Sequence, residues 1–398
     1  MRLDERIERR RRRESGANRL VRDISALDPT AHPAEPTGRG PTLERLLDRL
    51  DPAFAGELPD DTYVYGPKGA GKSALVAALF DRLAETARNH PRAIHTTTRA
   101  SSPPPVEFAY VDARAATSEF ALLRAVLDAV VEESVPSGGV GTAAVRERLG
   151  DELGHARRVV VAVDHVGEPE TLPVERLGDV FAPVSESLSH VAVGRADPPS
   201  TDLATVEVPP YERHALADVL TSRTSDGLAR HALGHDAVSD VAAWADGDAH
   251  DALAALYGAA VEAADAATGR IEPRHVEAGM AGVPADCCSL GRVGSLSASR
   301  RRVLLELVGL DGDDRGSVTR AAAAIADAPT VDLSAATVKR LLYELSEVGV
   351  VRRVAGDAEG DGGPGRPPSR PEPNFPMRVF ERLGDPEAER RGADSAAT

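Results

Sequence analysis

Lysine is almost missing from this chain. Lys68, Lys72 and Lys339 are the only three in 398 residues, and arginine carries the rest of the positive charge. Cysteine is as scarce: Cys287 and Cys288 stand side by side, which excludes a disulfide scaffold or a multi-cysteine zinc motif and fits a reducing, cytoplasmic setting. The pair itself reads as an incidental feature of a linker. Aromatics make up 4% of the residues, with a single tryptophan. No apolar run approaches the roughly 18 residues that a membrane span requires. The charged start "MRLDERIERRRRRESG" has no signal-peptide core, so no membrane association is expected.

Acid is what the chain has in excess. Asp and Glu outnumber Lys and Arg 63 to 47, for a net charge of -16. Such a balance ordinarily argues against a nucleic-acid partner. The charge is uneven, however: about +4 over residues 1–24, about -18 over 25–292, about zero over 293–380 and about -2 beyond. Abundant Ala, Asp and Glu with hardly any Lys suits a salt-adapted, halophilic surface, where carboxylates hold hydration and excess charge maintains solubility. Acidity then reports the solvent more than the partner.

The chain divides by texture. Residues 1–40 read as a basic arm and Pro-rich linker, in which Arg9 to Arg13 could touch phosphates but fit a solvated charge run better. Residues 41–210 alternate short apolar runs with helix-length periodic segments. Five runs read as buried strands: "TYVY", "EFAYVDA", "RRVVVAVD", "HVAVG" and "ATVEV". Helices such as 73–88 and 119–133 lie between them, which predicts an α/β domain with a parallel sheet covered on both faces. Residues 211–285 are Ala-rich and helical. Residues 290–383 read as three helices and a β-hairpin, a winged helix whose third helix starts at Ser334 and ends at Gly349. Val338, Leu341, Leu342, Leu345 and Val348 give that helix one buried stripe. Residues 384–398 read as a disordered tail.

"YGPKGAGKSAL" carries the sharpest signal. Gly66, Pro67, Lys68, Gly69, Ala70, Gly71, Lys72 and Ser73 satisfy G-x-x-x-x-G-K-[ST] between an expected strand and an expected helix. Glycines let backbone N–H groups and the helix N-terminus face phosphate oxygens. Lys72 then reaches the β and γ phosphates of ATP, or the β phosphate of ADP, and Ser73 ligates Mg²⁺. A second strand should end in a carboxylate for the magnesium shell, and Asp164 supplies it. The next residue in an active ATPase of this kind is Glu, which orients the attacking water. Here it is His165, with Glu168 three residues on. A neutral imidazole could act as a base, or His165 could be a plain surface residue, but loss of the carboxylate more often means slow or absent turnover. Binding is therefore expected to be firmer than hydrolysis.

Further segments follow in a fixed order: "VEVPPYERHALADVLTSR", "ADGDAHDALAALYGAAVEAA", "GRIEPRHVEAG" and the C-terminal helices with their hairpin. Together with the phosphate loop, this order resembles the archaeal, and by composition haloarchaeal, replication initiators. These are AAA+ ATPases related to the origin-recognition complex and the cell-division-control loader. The resemblance spans about residues 24–383. It implies ATP or ADP bound between a sheet domain and a helical lid, with Tyr211 of the "PPY" turn and His250 near the nucleotide. It also implies origin duplex DNA gripped by a winged helix, and a replicative helicase or other initiator subunits as partners. The chain departs from the family pattern three times. His250 stands where "GDAR" has its phosphate-sensing arginine, Gly194 and Arg195 stand where the sensor strand ends in a polar residue such as Asn, and the segment for a trans-acting arginine is short.

On the third helix of the winged helix, Lys339, Arg340 and Tyr343 lie away from the buried stripe and are expected to reach bases and phosphates. Arg352, Arg353, Arg366 and Arg370 of the wing would follow an adjacent groove. Two other readings use the same parts: a nucleotide-responsive transcriptional regulator, and an NTPase whose C-terminal domain binds protein.

Overall fold

The computed structural model describes residues 20–89, 106–131, 135, 139–154, 157–198, 203–355 and 369–383. Most of the basic arm, Arg366 and the expected tail lie outside these residues. The chain forms two compact units, one of residues His32–Leu216 and the other of Met1–Ala31 with Ala217–Thr398.

The first unit runs α1 (Gly40–Phe54), β1 (Thr62–Tyr65), α2 (Lys72–Asn89), β2 (Val106–Asp112), α3 (Glu119–Val130), α4 (Thr142–Leu153), β3 (Arg158–Val166), α5 (Glu175–Phe181), β4 (Leu188–Gly194) and β5 (Ala204–Glu207). All five expected strands form. They pair in the order β2-β3-β4-β1-β5, every neighbour parallel. The Val-rich β3 shows why the sheet is covered on both sides, since successive side chains alternate faces. Val159, Val161 and Val163 pack with Leu122, Leu123 and Leu149 from α3 and α4. Val160 and Ala162 pack with Leu46, Val76 and Phe80 from α1 and α2. β4 lies between β1 and β3, so the loop after β4 emerges between the glycine loop and Asp164. That is the topological switch at which open α/β sheets bind ligands.

The second unit continues with α6 (Arg213–Gly227), inside which the division falls, then α7 (His235–Trp244), α8 (Ala249–Asp265) and α9 (Pro273–Ala281). α8 is apolar on nearly all sides and is the buried helix of its group. After it come α10 (Leu290–Ser295), α11 (Ala298–Gly309), α12 (Val318–Ala326), α13 (Ala335–Glu347), the antiparallel pair β6 (Val351–Ala355) and β7 (Ser369–Pro373), and α14 (Met377–Leu383). The expected order of three helices and a hairpin is therefore present. Ser334 caps α13 by accepting from the Thr337 N–H. Val338, Leu341, Leu342 and Leu345 are buried on it. Val348 holds the C-cap, and Gly349 is the left-handed residue beyond it, at φ 76°. No helix among the described residues is long and apolar enough to cross a membrane.

Two features differ from the expected organisation. Residues 20–31 are not a free linker: Leu20 and Leu27 are buried, and the Arg22 and Asp23 N–H groups donate to the Gly227 carbonyl at the end of α6. Arg223 donates to the carbonyls of Asp28 and Ala31, which ties the same segment down again. α14 was not foreseen either. Its Arg378 and Arg382 pair with Glu262 and Asp265 at the end of α8.

α8 and α9 approach closely at glycine. A Cβ on Gly279 would lie 2.2 Å from the Ala255 carbonyl oxygen, whereas one on Gly294 in α10 meets nothing within 4 Å. Gly279→Ala is therefore expected to destabilise the chain by about 1–3 kcal/mol through overpacking. Gly294→Ala should be neutral or stabilising by up to about 1 kcal/mol. Thermal unfolding of the two variants side by side checks the pair.

Candidate nucleotide site and basic face

Gly66, Gly69 and Gly71 all take positive φ, at 152°, 69° and 76°. Two of them are also enforced by space. A Cβ on Gly66 would stand 2.1 Å from the Val208 carbonyl oxygen, and one on Gly71 2.5 Å from the Tyr211 hydroxyl. Tyr211 is thus seated against the glycine loop. Pro67, Lys68 and Gly69 form the outer curve, and Ala70 is fully buried beneath it. Lys72 is buried, and its Nζ donates to the carbonyls of Gly66 and Pro67 at 2.7 Å each. The ammonium therefore sits inside the loop. Ser73 follows in the first turn of α2.

Arg39 was not singled out from sequence. It is buried, its guanidinium carbon lies 3.5 Å from the Tyr211 ring centroid, and its Nε and Nη2 find no hydrogen-bond partner among the described residues. A cation stacked on the tyrosine that backs Gly71 adds positive potential beside the loop. The only hint in the sequence was the "GRGP" turn, in which Gly38 has φ 74°.

Asp164 ends the regular part of β3 and is 1% exposed. Its Oδ2 accepts from the Tyr110 hydroxyl at 2.7 Å and its Oδ1 from the His165 N–H at 2.7 Å. Burial, then the Asp164 charge, pushes the Tyr110 phenol far up, so it serves only as a donor. Strand pairing with β4 slips between Val163 and Val166, and His165 takes φ 64°, a strained conformation for a non-glycine residue. In a regular strand the residue after Asp164 would point to the opposite face. The bulge turns it back, leaving His165 Nε2 3.6 Å from Asp164 Oδ2 and Nδ1 3.6 Å from Glu168 Oε1.

Glu168 holds the rest of this corner together. It accepts from Arg114 Nε at 2.8 Å and Nη2 at 3.1 Å, and Arg195 Nη2 lies 3.0 Å from Oε1. Burial alone would raise its carboxyl, but the His165 ring, the paired Arg114 and the charge of Arg195 outweigh that and hold it well below the ordinary range. Glu168 therefore carries no proton near neutrality, and its lone pairs are committed to arginine. Arg195 follows Gly194, where a Cβ would be 2.6 Å from the Tyr63 hydroxyl. Arg195, next to Gly194 in the expected sensor region, thus compensates a buried charge.

His250, for which a place near the nucleotide is expected, makes hydrogen bonds within its own unit. Its Nε2 accepts from the Leu290 N–H at 2.9 Å, and its Nδ1 lies 2.9 Å from Asp251 Oδ1, so both ring nitrogens are engaged.

Several of the basic residues expected to reach DNA are paired with carboxylates of the same segment. Arg340 pairs with Glu344, which also holds Arg300 at 3.2 Å. Arg352 and Arg370 lie 4.0 Å and 2.7 Å from Glu372. Lys339 Nζ reaches Thr319 Oγ1 at 3.1 Å, and Arg353 stacks 4.9 Å from the Tyr343 ring centroid. Exposed Arg301 and Arg302 at the start of α11 and Arg320 in α12 add positive charge that the sequence reading passed over, although "SRRR" displays it. These surface pairs are worth about 0–1 kcal/mol each and exchange readily.

Glycine loop, buried Asp164 and the strand order β2-β3-β4-β1-β5 together define a class: the chain has the AAA+ P-loop fold. The family model described as "AAA ATPase domain" matches residues 35–193. Among curated proteins, the chain is 29% identical over 303 residues to ORC1-type DNA replication protein 1 of Aeropyrum pernix, covering 70% of this chain and 72% of that protein. It is 24% identical over 282 residues to the ORC1-type DNA replication protein of Thermococcus onnurineus, spanning 65% of that protein's length. It is 25% identical over 274 residues to ORC1-type DNA replication protein 10 of Halobacterium salinarum, 64% of each chain. The latter two are thus matched over slightly less than two thirds of their length.

Solved structures share the fold. The Aeropyrum pernix ORC1 protein in complex with DNA superposes with a TM-score of 0.60 at 22% identity, over 94% of this chain and 99% of that one. The Aeropyrum pernix ORC2 protein, solved as ADPNP-ADP complexes, gives 0.54 at 17%, over 94% and 100%. The chain is thus similar in sequence to ORC1-type DNA replication proteins, and it shares its fold with the solved ORC structures.

Because the folded Glu168 carboxyl titrates below its unfolded counterpart, its ion-pair cluster contributes stability above the ordinary value of 4.5 and loses it as pH falls toward the depressed value. Glu168→Gln leaves two guanidinium groups facing a neutral amide and should destabilise the chain by about 3–5 kcal/mol at pH 7. The difference from wild type should shrink on acidification below about pH 4.5. Urea unfolding at several pH values checks both, and equal stability at pH 7 would mean the cluster contributes nothing.

Proposed function

We propose that this protein binds ATP or ADP with Mg²⁺ and grips duplex DNA as a replication initiator of the origin-recognition type, with nucleotide controlling its domain arrangement. The observation that carries the nucleotide reading is Lys72. It is a buried ammonium held by the carbonyls of its own loop, in a chain that otherwise uses arginine. Phosphate oxygens offer that ammonium stronger acceptors than the two carbonyls do. Ser73 and Asp164 supply the oxygen donors that a hard divalent cation takes, and they would hold Mg²⁺. When bound, the ion neutralises charge on the β and γ phosphates. Tyr110 and the His165 N–H orient the Asp164 carboxylate for this task. Tyr211 and Arg39 support the loop from behind.

Hydrolysis is expected to be weak. The carboxylate nearest the position of the usual water-orienting Glu is Glu168, and it is bound to Arg114 and Arg195. His165 is the remaining group beside Asp164 able to take a proton. Lys72→Ala should lower ATP affinity at least a hundredfold, and an unchanged Kd would overturn the phosphate-loop assignment. His165→Glu should raise turnover above a negligible wild-type rate, followed as phosphate release in high potassium salt. Brisk wild-type turnover would show that His165 suffices.

DNA binding is assigned to α13 and the β6–β7 hairpin as a winged helix, through Lys339, Arg340, Tyr343, Arg352, Arg353 and Arg370. The exposed Arg301, Arg302 and Arg320 lie on the neighbouring helices. Support comes from the near-neutral charge of this segment in an acidic chain, and from relatives whose names place them in DNA replication. Salt adaptation, a haloarchaeal source, a cytoplasmic location and a helicase or initiator partner belong to the same proposal. Replacing Lys339 and Arg340 together by Ala should weaken binding to origin-like duplex and flatten its log–log salt slope by about one to two. Unchanged affinity and slope would move the DNA site elsewhere.

A further inference from the structure

The geometry points to a site for a borderline-soft divalent cation of the zinc type, built from His250, Asp251 and Cys287 where the α9–α10 connection meets the start of α8. One donor atom from each of the three lies within 4.8 Å of the others. Cys287 Sγ donates to Asp251 Oδ1 at 3.2 Å, and His250 Nδ1 stands 2.9 Å from that same oxygen. Tetrahedral zinc, with bonds of about 2.0–2.3 Å, holds its donors about 3.3–3.6 Å apart. Opening these two separations by a few tenths of an ångström, with Nδ1 and Sγ, already within 4.8 Å, settling to the same range, makes room for the ion where two protons now sit. Cys287 is 3% exposed and His250 9%, so the donors are shielded from bulk water. Imidazole with thiolate selects zinc-like ions over magnesium and calcium, which distinguishes this site from the all-oxygen one at Ser73 and Asp164. Three protein ligands leave the fourth position to water.

Binding has a defined proton balance. The Leu290 N–H donates to His250 Nε2, so the neutral ring carries its hydrogen on Nδ1. Coordination through Nδ1 moves that hydrogen to Nε2, where it opposes the Leu290 N–H and ends their hydrogen bond. The Cys287 thiol releases its own proton to solvent. The metal thus forms its bonds to Nδ1, Sγ and the carboxylate while freeing the first residue of α10. The Cys288 N–H donates to the Asn374 carbonyl at 2.7 Å, and Asn374 Nδ2 donates to the Gly349 carbonyl at 3.0 Å, so the connection also reaches the open end of the β6–β7 hairpin. The ion would act on the segment joining α6–α9 to the helices and hairpin that follow.

Cobalt(II) titration of the full-length apoprotein, without thiol reductants, tests this. The expected result is a near-ultraviolet thiolate-to-cobalt band with intense visible bands of a tetrahedral ion, saturating at one equivalent. Cys287→Ser, nearly isosteric, should abolish the thiolate band, while Cys288→Ser and Lys72→Ala should leave it in place. His250→Gln should weaken affinity by more than the roughly 10- to 100-fold that loss of a supporting hydrogen bond costs. No thiolate band in the wild type with excess cobalt would overturn the site, as would a band that survives in Cys287→Ser. The Lys72→Ala control separates this outcome from any failure of the nucleotide site.

Discussion

A carboxylate taken out of water at the end of a parallel strand has to be met by donors or cations, and the end of β3 carries two. Asp164 is met by Tyr110 and by the next backbone N–H, and Glu168 by Arg114 and Arg195. Meeting both within a few residues bends the strand. The slipped register, the left-handed His165 and the return of Glu168 toward Asp164 are consequences of that one electrostatic requirement. The same requirement removes Glu168 from proton transfer, because a carboxylate that compensates two arginines is a poor base. On the proposed function, affinity for a metal–nucleotide complex and capacity to hydrolyse it would be separated at this corner of the sheet, with Asp164 serving the first and His165 alone left for the second.

The scarcity of lysine sharpens the role of the loop. Arginine's planar fork suits the bidentate grip on Glu168, where two parallel N–H groups face two oxygens. Inside the phosphate loop the acceptors are carbonyls on a tight curve, and a compact ammonium reaches Gly66 and Pro67 together where a planar guanidinium has no matching geometry. Each cation is thus used where its shape fits. The chain's preference for arginine fails where shape forbids it.

What was legible in the sequence was local. Val-rich runs, the glycine loop and the Ser334 cap each declare themselves within a dozen residues, and all five strands and the helix after the loop form as expected. Non-local arrangements were not legible. Nothing in "RRVVVAVDHVGE" says that β4 lies between β3 and β1, that the strand bulges after Asp164, or that Arg114 and Arg195, about 50 and 30 residues away, converge on Glu168. Residues 20–31 looked like a linker because they lie between a basic run and a proline-rich stretch, and the burial of Leu20 and Leu27 depends on α6 two hundred residues later. His250 was placed by analogy of position. Its two hydrogen bonds come from Asp251 and Leu290, and the second of these partners lies forty residues away.

The basic face follows the same logic of paired charge, with a different consequence. Arg300 and Arg340 share Glu344, and Arg352 and Arg370 share Glu372. On a surface, such pairs hold the guanidinium groups in place at little net energy and weaken further as salt rises. A phosphate approaching this face exchanges with an internal carboxylate instead of meeting a bare cation. In concentrated salt the gain from released counterions shrinks with the logarithm of salt concentration. A DNA contact here would then depend less on net charge than on hydrogen bonds aimed by preset arginines and on the stacked Arg353–Tyr343 pair. An acidic chain carrying a near-neutral segment proposed to hold DNA is coherent on those terms, because the local geometry of the cations, not the sign of the whole molecule, would decide whether phosphate is held.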